Sequence, residues 1–178
     1  GFSDATAGSL ASANYAGYFV GAVLTSLLPL RTKRNASFRA GLAAGIVTTG
    51  LMGVSHSYAL MHAIRFLSGV ASAFLFVLTS SIVLDRLAHA GKTNHAGYLY
   101  AGVGLGIAFS TLFIPGLNAL FRWEGVWIGL SVLSGLLAVP AWRWVTDSPS
   151  ANLSRTSRAE PPASAPAPPA KWLPWLII

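Results

Sequence analysis

Apolar residues run along this chain in five stretches of about 20, set apart by short polar connectors. Wound as a helix that rises about 1.5 Å per residue, such a stretch matches the roughly 30 Å hydrocarbon core of a bilayer. The pattern therefore predicts an all-α membrane protein with spans at about 9–30, 40–54, 58–84, 96–120 and 126–145. Pro29 stops the first, and the short run Ser55, His56 and Ser57 turns the second into the third. Asp85 and Arg86 close the third, Phe121 to Gly125 joins the fourth to the fifth, and Trp142, Arg143 and Trp144 form an interfacial anchor. From 146 to 170 the pattern gives way to Pro, Ala and Ser, a composition that cannot bury enough apolar surface to order itself and predicts a disordered linker. Residues 171–178 turn apolar again and predict the start of a further span.

The polar positions orient the chain. Lys and Arg mark the connectors after spans one, three and five, with Arg31, Lys33, Arg34 and Arg39 in the first of these, and are scarce in the two between. Cationic loops resist translocation, so these three belong in the cytoplasm and Gly1 to Gly8 faces outward. An outward start implies a span before it, and the chain is expected to be a fragment whose remaining helices complete its packing.

Composition agrees with lipid as the main solvent: 53% of the 178 residues are hydrophobic and 10% charged, against roughly 25% charged in soluble domains. The net charge of +7 lies in loops beside apolar spans, which points to lipid headgroups and not to nucleic acid. With no cysteine there are no disulfides and no thiol chemistry.

Small residues recur every fourth position inside the spans: Ala13, Gly17, Gly21 and Thr25 in the first, Gly41, Gly45, Thr49 and Gly53 in the second, Gly102, Gly106 and Ser110 in the fourth. Lipid tails are as apolar as Leu, so helices in a bilayer associate where small residues let backbones approach. The main candidate for chemistry is Arg65, about two turns into the third span, where a guanidinium costs about 2.5–3.5 kcal/mol on insertion scales. It should face the bundle interior or a wet cavity and hydrogen-bond to carbonyls or bind an anionic group, unless it snorkels to the outer headgroups. His62, one turn earlier on the same face, can titrate near neutral pH and suits a proton relay, the alternative being a histidine at the bilayer interface. Asn14, Tyr15 and Tyr18 put polar groups early in the first span, where they could line a pathway. Asp85, an anion near a helix C-terminus, calls for a cationic partner, for which Lys33 and Arg34 are the best placed, unless it is a carboxylate solvated at the membrane surface. The sequence offers no phosphate-binding loop, no G-x-S-x-G, no carboxylate pair and no metal-ligand spacing, so no catalytic residue, metal or cofactor is assigned.

These residues also carry a resemblance. The run Arg65-Phe-Leu-Ser-Gly69-Val-Ala-Ser-Ala73 resembles the R-x-x-Q-G-x-G-A-A pattern in the fourth helix of major facilitator superfamily transporters, with Ser68 for the Gln and Ala71 for the second Gly. The run from Gly102 to Thr111 is similar to the G-x-x-x-G-P-x-x-G-G of the fifth helix in antiporters, with Ile107 for the Pro and Ser110 and Thr111 for the Gly pair. The superfamily's loop signature between helices two and three survives as the cationic pair Lys33 and Arg34. The runs ASANYAGYFVGAVL and RFLSGVASAFLFVL and the ending PAWRW look like the YbfB/YjiJ-type branch.

The resemblance implies that the five spans are helices two to six of a major-facilitator-type bundle, a partial N-terminal six-helix half, with 171–178 opening helix seven. It implies that Asp85 pairs with the basic loop as a cytoplasmic latch and that Arg65 lies near the transport cavity and contributes to proton coupling. The expected function is secondary transport of a small solute across a bacterial inner membrane by alternating access, with protons as the coupling ion. A polytopic membrane enzyme, or an assembly or sensor protein with its active residues elsewhere, is the competing expectation.

Overall fold

A computed structural model describes residues 3–28 and 33–144 of the chain. The expected linker at 146–170, the further span at 171–178, the connector residues 29–32 and the side chain of Trp144 lie outside the described residues. Four helices follow in order: α1 (Asp4–Leu27), α2 (Arg34–Val54), α3 (Tyr58–His89) and, after a short 3₁₀ turn at Thr93–His95, α4 (Gly97–Trp144).

The helices outrun the apolar stretches, because hydropathy marks where a helix meets lipid and not where it ends. α1 starts at Asp4, capped by the Ser3 hydroxyl, which accepts the amide N–H of Thr6 at 3.3 Å. It stops at Leu27, and Leu28 turns extended, the conformation that the following Pro29 imposes on it. α2 begins at Arg34, six residues before the apolar stretch expected from 40, so its first turn and a half carries Arg34, Asn35, Ser37 and Arg39 around the buried Phe38. α3 continues past Leu84 to His89 and ends in a Schellman motif: Gly91 adopts φ +65°, its N–H donates to the Ala88 carbonyl, and the Lys92 N–H donates to that of Leu87 at 2.8 Å.

α4 is two helices joined end to end. At Arg122 the backbone takes φ 58° and ψ −175°, outside any helical region, and the chain folds back. A Cβ placed on Gly129 would lie 3.4 Å from the Leu117 side chain, although 12 residues of continuous helix would hold the two about 18 Å apart. The two arms, 97–121 and 123–144, are therefore antiparallel neighbours.

Arg34–Val54, Tyr58–His89 and Thr93–Arg143 are long and apolar enough to cross a membrane, the last of them with its break at Arg122. α1, read from the sequence as a span, is 24 residues long and is not among these three. Its hydroxyls are turned back on its own backbone: Ser12 donates to Gly8, Thr25 to Ala22 and Ser26 to Val23, at 2.7–3.0 Å. Hydroxyls satisfied in this way remove much of the cost of placing them against lipid.

Contacts between helices fix the directions. Ser9 meets Tyr58, Asn14 meets Arg65 and Gly21 meets Val70, so α1 and α3 run parallel. Arg34 meets Asp85 and Gly41 meets Leu75, so α2 runs antiparallel to α3. Gly53 meets Glu124 and Ser131 donates to the Ile46 carbonyl, so the second arm of α4 also opposes α2. One end of the bundle gathers Lys33, Arg34, Arg39, Arg86, Lys92 and Arg143; the other carries the connector at 55–57 and the break at Arg122. Near that second end Leu10, Met52, Met61 and Ile64 form a buried apolar cluster, covered by Trp123 and Trp127.

Candidate functional site

The α1–α3 interface is built on glycine. A Cβ on Gly17 would overlap the carbonyl of Phe66, and one on Gly69 would overlap the carbonyl of Asn14. One on Gly21 would stand 2.8 Å from both the Val70 carbonyl oxygen and the Ala73 Cβ. Each helix thus presents a bare backbone to the other, and this closeness lets the Asn14 amide donate to the Arg65 carbonyl oxygen at 2.9 Å. Asn14 therefore serves as a polar clamp between helices. Tyr15 and Tyr18, on the same helix, are exposed, and Tyr15 is near enough to the Arg65 guanidinium to interact with it electrostatically.

That clamp holds the backbone of Arg65, whose side chain leaves in another direction. Its guanidinium stands 5.4 Å from the centre of the Trp127 ring, on the second arm of α4. A cation over an indole face gains about 0.5–2 kcal/mol, the more so away from water. This offsets part of the cost of placing it in a span. Among the described residues no carboxylate lies within 4.0 Å of it, so its hydrogen-bonding fork has no anionic partner within the helices.

One turn toward the same end, His62 bridges to α1. Its Nδ1 lies 2.9 Å from the Tyr58 carbonyl oxygen and its Nε2 3.1 Å from the Ser9 hydroxyl. Ser9 in turn lies 2.8 Å from the Tyr58 hydroxyl. Ser9, Tyr58 and Trp127 were not among the sequence candidates. Nothing local marks them, because each acquires its role from a residue about 50 or more positions away.

At the basic end the Arg34 guanidinium donates to Asp85 Oδ2 and to the Ser81 hydroxyl, both at 2.7 Å. Lys33 is exposed, immediately before α2. Because α3 continues to His89, Asp85 sits a full turn inside the helix and not at its terminus, so the dipole bears on it less than the sequence implied. Nearby, Arg39 lies over the Trp142 ring at 5.4 Å and donates to the Trp142 carbonyl oxygen at 3.4 Å, tying α2 to the end of α4.

The Arg34–Asp85 pair is more than a quarter exposed on one side and more than half on the other, so it stabilises by no more than about 1 kcal/mol. A link of that strength can open and reclose. Arg34 also stands at the positive end of α2, where a cation is disfavoured by about 0.3–1 kcal/mol, so the swapped pair should fold at least as well as the native one. Either R34D or D85R alone should lower transport, and the double variant R34D/D85R should restore it with an unchanged or raised melting temperature. Absence of rescue in the double variant rejects the pair as a working contact.

Gly102 and Gly106, on the first arm of α4, have nothing within 4 Å of a built Cβ, so the described helices supply no partner for that stripe. A groove of about 400 Å³ between α2 and α3 is lined by Gly41, Ala44, Thr48, Leu67 and Phe74 among others. It does not include Arg65, and the Thr48 hydroxyl is already donated to the Ala44 carbonyl at 2.7 Å, so the groove is an apolar packing surface and not the polar site.

The glycine-packed α1–α3 pair thus carries His62 bridged to Ser9 and sends the Arg65 guanidinium toward Trp127, while among the described residues no group of three or more metal-ligating side chains is assembled. No curated protein and no solved structure matches it. A family model described as "Uncharacterised MFS-type transporter YbfB" matches residues 1–177. A polytopic all-α bundle with that match from end to end belongs to this family of major-facilitator-type membrane transporters.

Proposed function

We propose that this transporter moves a small solute carrying an anionic group, coupled to protons, by alternating access in a bacterial inner membrane. The basic end of the bundle faces the cytoplasm, where Lys33, Arg34, Arg86 and Lys92 resist translocation. The observation that carries the reading is Arg65: a permanent cation on a spanning helix, positioned by the Asn14 clamp and Trp127, without a carboxylate within 4.0 Å among the described residues. A half-buried charge on a spanning helix without a carboxylate partner is costly, and a bound anion lowers that cost when it arrives. The arriving anion therefore interacts with the helices that must rearrange around it, as coupling requires. His62, one turn before Arg65, is an imidazole that can take up and release a proton, which supports protons as the coupling ion. The weak Arg34–Asp85 link at the far end supports a latch that breaks in one of two states.

The test is proton flux in proteoliposomes of the full-length protein, loaded with a pH-sensitive dye and challenged with a panel of small carboxylates, phosphates and neutral solutes. At least one anionic solute should change the internal pH, and a protonophore should abolish that change. A panel in which only neutral solutes move, or in which solute moves without protons, rejects the reading.

A further inference from the structure

The hydrogen-bond arithmetic around Ser9 has two solutions. The Ser9 hydroxyl oxygen has three partners: the Thr6 carbonyl oxygen at 2.8 Å, the Tyr58 hydroxyl at 2.8 Å and His62 Nε2 at 3.1 Å. A hydroxyl has one proton to give and two lone pairs to accept with. A carbonyl only accepts, so His62 Nδ1, 2.9 Å from the Tyr58 carbonyl, must carry a proton whatever the state of the ring.

In the first solution Ser9 donates to Thr6 and accepts from both Tyr58 and His62. Nε2 then also carries a proton and the ring is an imidazolium, with all four contacts satisfied. In the second, His62 is neutral and protonated on Nδ1 alone; Ser9 turns its proton from Thr6 to Nε2 and still accepts from Tyr58. Three contacts remain, and the Thr6 carbonyl keeps only its helical bond. The heavy atoms occupy the same positions in both solutions, so taking up a proton requires rotation of one hydroxyl and nothing larger.

We propose that Ser9, Tyr58 and His62 form a proton-binding site joining α1 to α3, in which the Ser9 hydroxyl reverses its hydrogen bond as His62 gains or loses a proton. The proton comes from water and adds to Nε2; no other bond forms or breaks. Around the ring, α3 contributes Tyr58, 4.3 Å away centre to centre, and Arg65 one turn on. α1 contributes Asp4 before Ser9 and Tyr15 and Tyr18 beyond it, His56 lies in the connector before α3, and Glu124 stands at the start of the second arm of α4. Among these described residues no carboxylate comes within 4.0 Å of the ring, which leaves Ser9 as its partner on the neighbouring helix. The bridge sits just before the close approaches of Gly17 to Phe66 and of Gly69 to Asn14, so the proton changes the polar tie between two helices whose backbones already touch.

The experiment needs no solute, so its failure leaves the transport reading standing. The full-length protein, with ¹⁵N-histidine and in lipid nanodiscs, is followed by NMR from about pH 5 to about pH 8, with H62Q to assign the signal. Both His62 ring nitrogens should be protonated at the acid end, and the neutral ring should hold its proton on Nδ1 with Nε2 bare. S9A should displace the titration midpoint to lower pH by about half a unit or more, because a bond to the charged ring is worth about twice one to the neutral ring. S9T, which keeps the hydroxyl, should return the wild-type curve. A neutral ring protonated on Nε2, an unmoved midpoint in S9A, or an S9T curve that matches S9A each overturns the site.

Discussion

Replacing Gly69 by alanine should weaken the folded protein by about 3 kcal/mol, the upper end of what overpacking costs, whereas the same change at Gly102 should leave it as stable or slightly more so. Alanine is the better helix former by about 1 kcal/mol, and on that ground alone both variants would gain. The difference is what the new methyl meets. At Gly69 it meets the carbonyl of Asn14 and, at 2.8 Å, the amide nitrogen of Tyr18, which are backbone atoms of a packed helix and cannot rotate aside. At Gly102 nothing lies within 4 Å. Separating α1 from α3 by even 1 Å would also stretch the Asn14–Arg65 bond and the Ser9–His62 bridge, now 2.9 and 3.1 Å. Loss of fixed structure should therefore accompany loss of stability. Thermal unfolding in detergent, with tryptophan emission as a second probe, reads both variants; equal midpoints for the two would mean that α1 and α3 do not meet at Gly69.

That contrast shows what a chain of this kind reveals before it is folded. The bilayer sets one length scale, and runs such as 58–84 and 126–145 declare themselves because few other environments tolerate so many apolar residues in sequence. Helix ends are harder to read, since they are made by groups that look polar and ordinary: the Ser3 cap, the cationic first turn of α2 and the left-handed Gly91. Spacing of small residues announces that helices pack but not which ones. Gly17, Gly21 and Gly102 obey the same rule, yet the first two meet α3, skipping the helix next in sequence, and the third meets nothing among the described residues. Pairings across 49 to 53 positions, such as Ser9 with Tyr58 and His62, depend on that choice of neighbour and leave no local trace. Arg65 could be singled out because its cost is local, whereas Trp127 could not, because its value lies in what it covers.

Removing the Arg65 side chain should separate stability from function. The guanidinium is disfavoured in a span by about 2.5–3.5 kcal/mol on insertion scales, of which the Trp127 contact offsets about 0.5–2. R65A should therefore fold as well as the native protein or better, with the Asn14 bond retained because it uses the Arg65 backbone carbonyl. Transport should fall all the same. A bidentate, charge-assisted contact to a carboxylate or phosphate is worth about 3 kcal/mol, so the solute-driven proton flux at low solute should drop about a hundredfold. R65K keeps the charge and loses the planar fork, so it should recover part of the flux, with the apparent affinity still weakened about tenfold. An arginine that only snorkels to the headgroups predicts the reverse order, with flux intact in R65A and any change confined to stability. Melting temperature and dye-reported flux on the same reconstituted samples separate the two cases, and R65A transporting at the native rate would remove Arg65 from the mechanism.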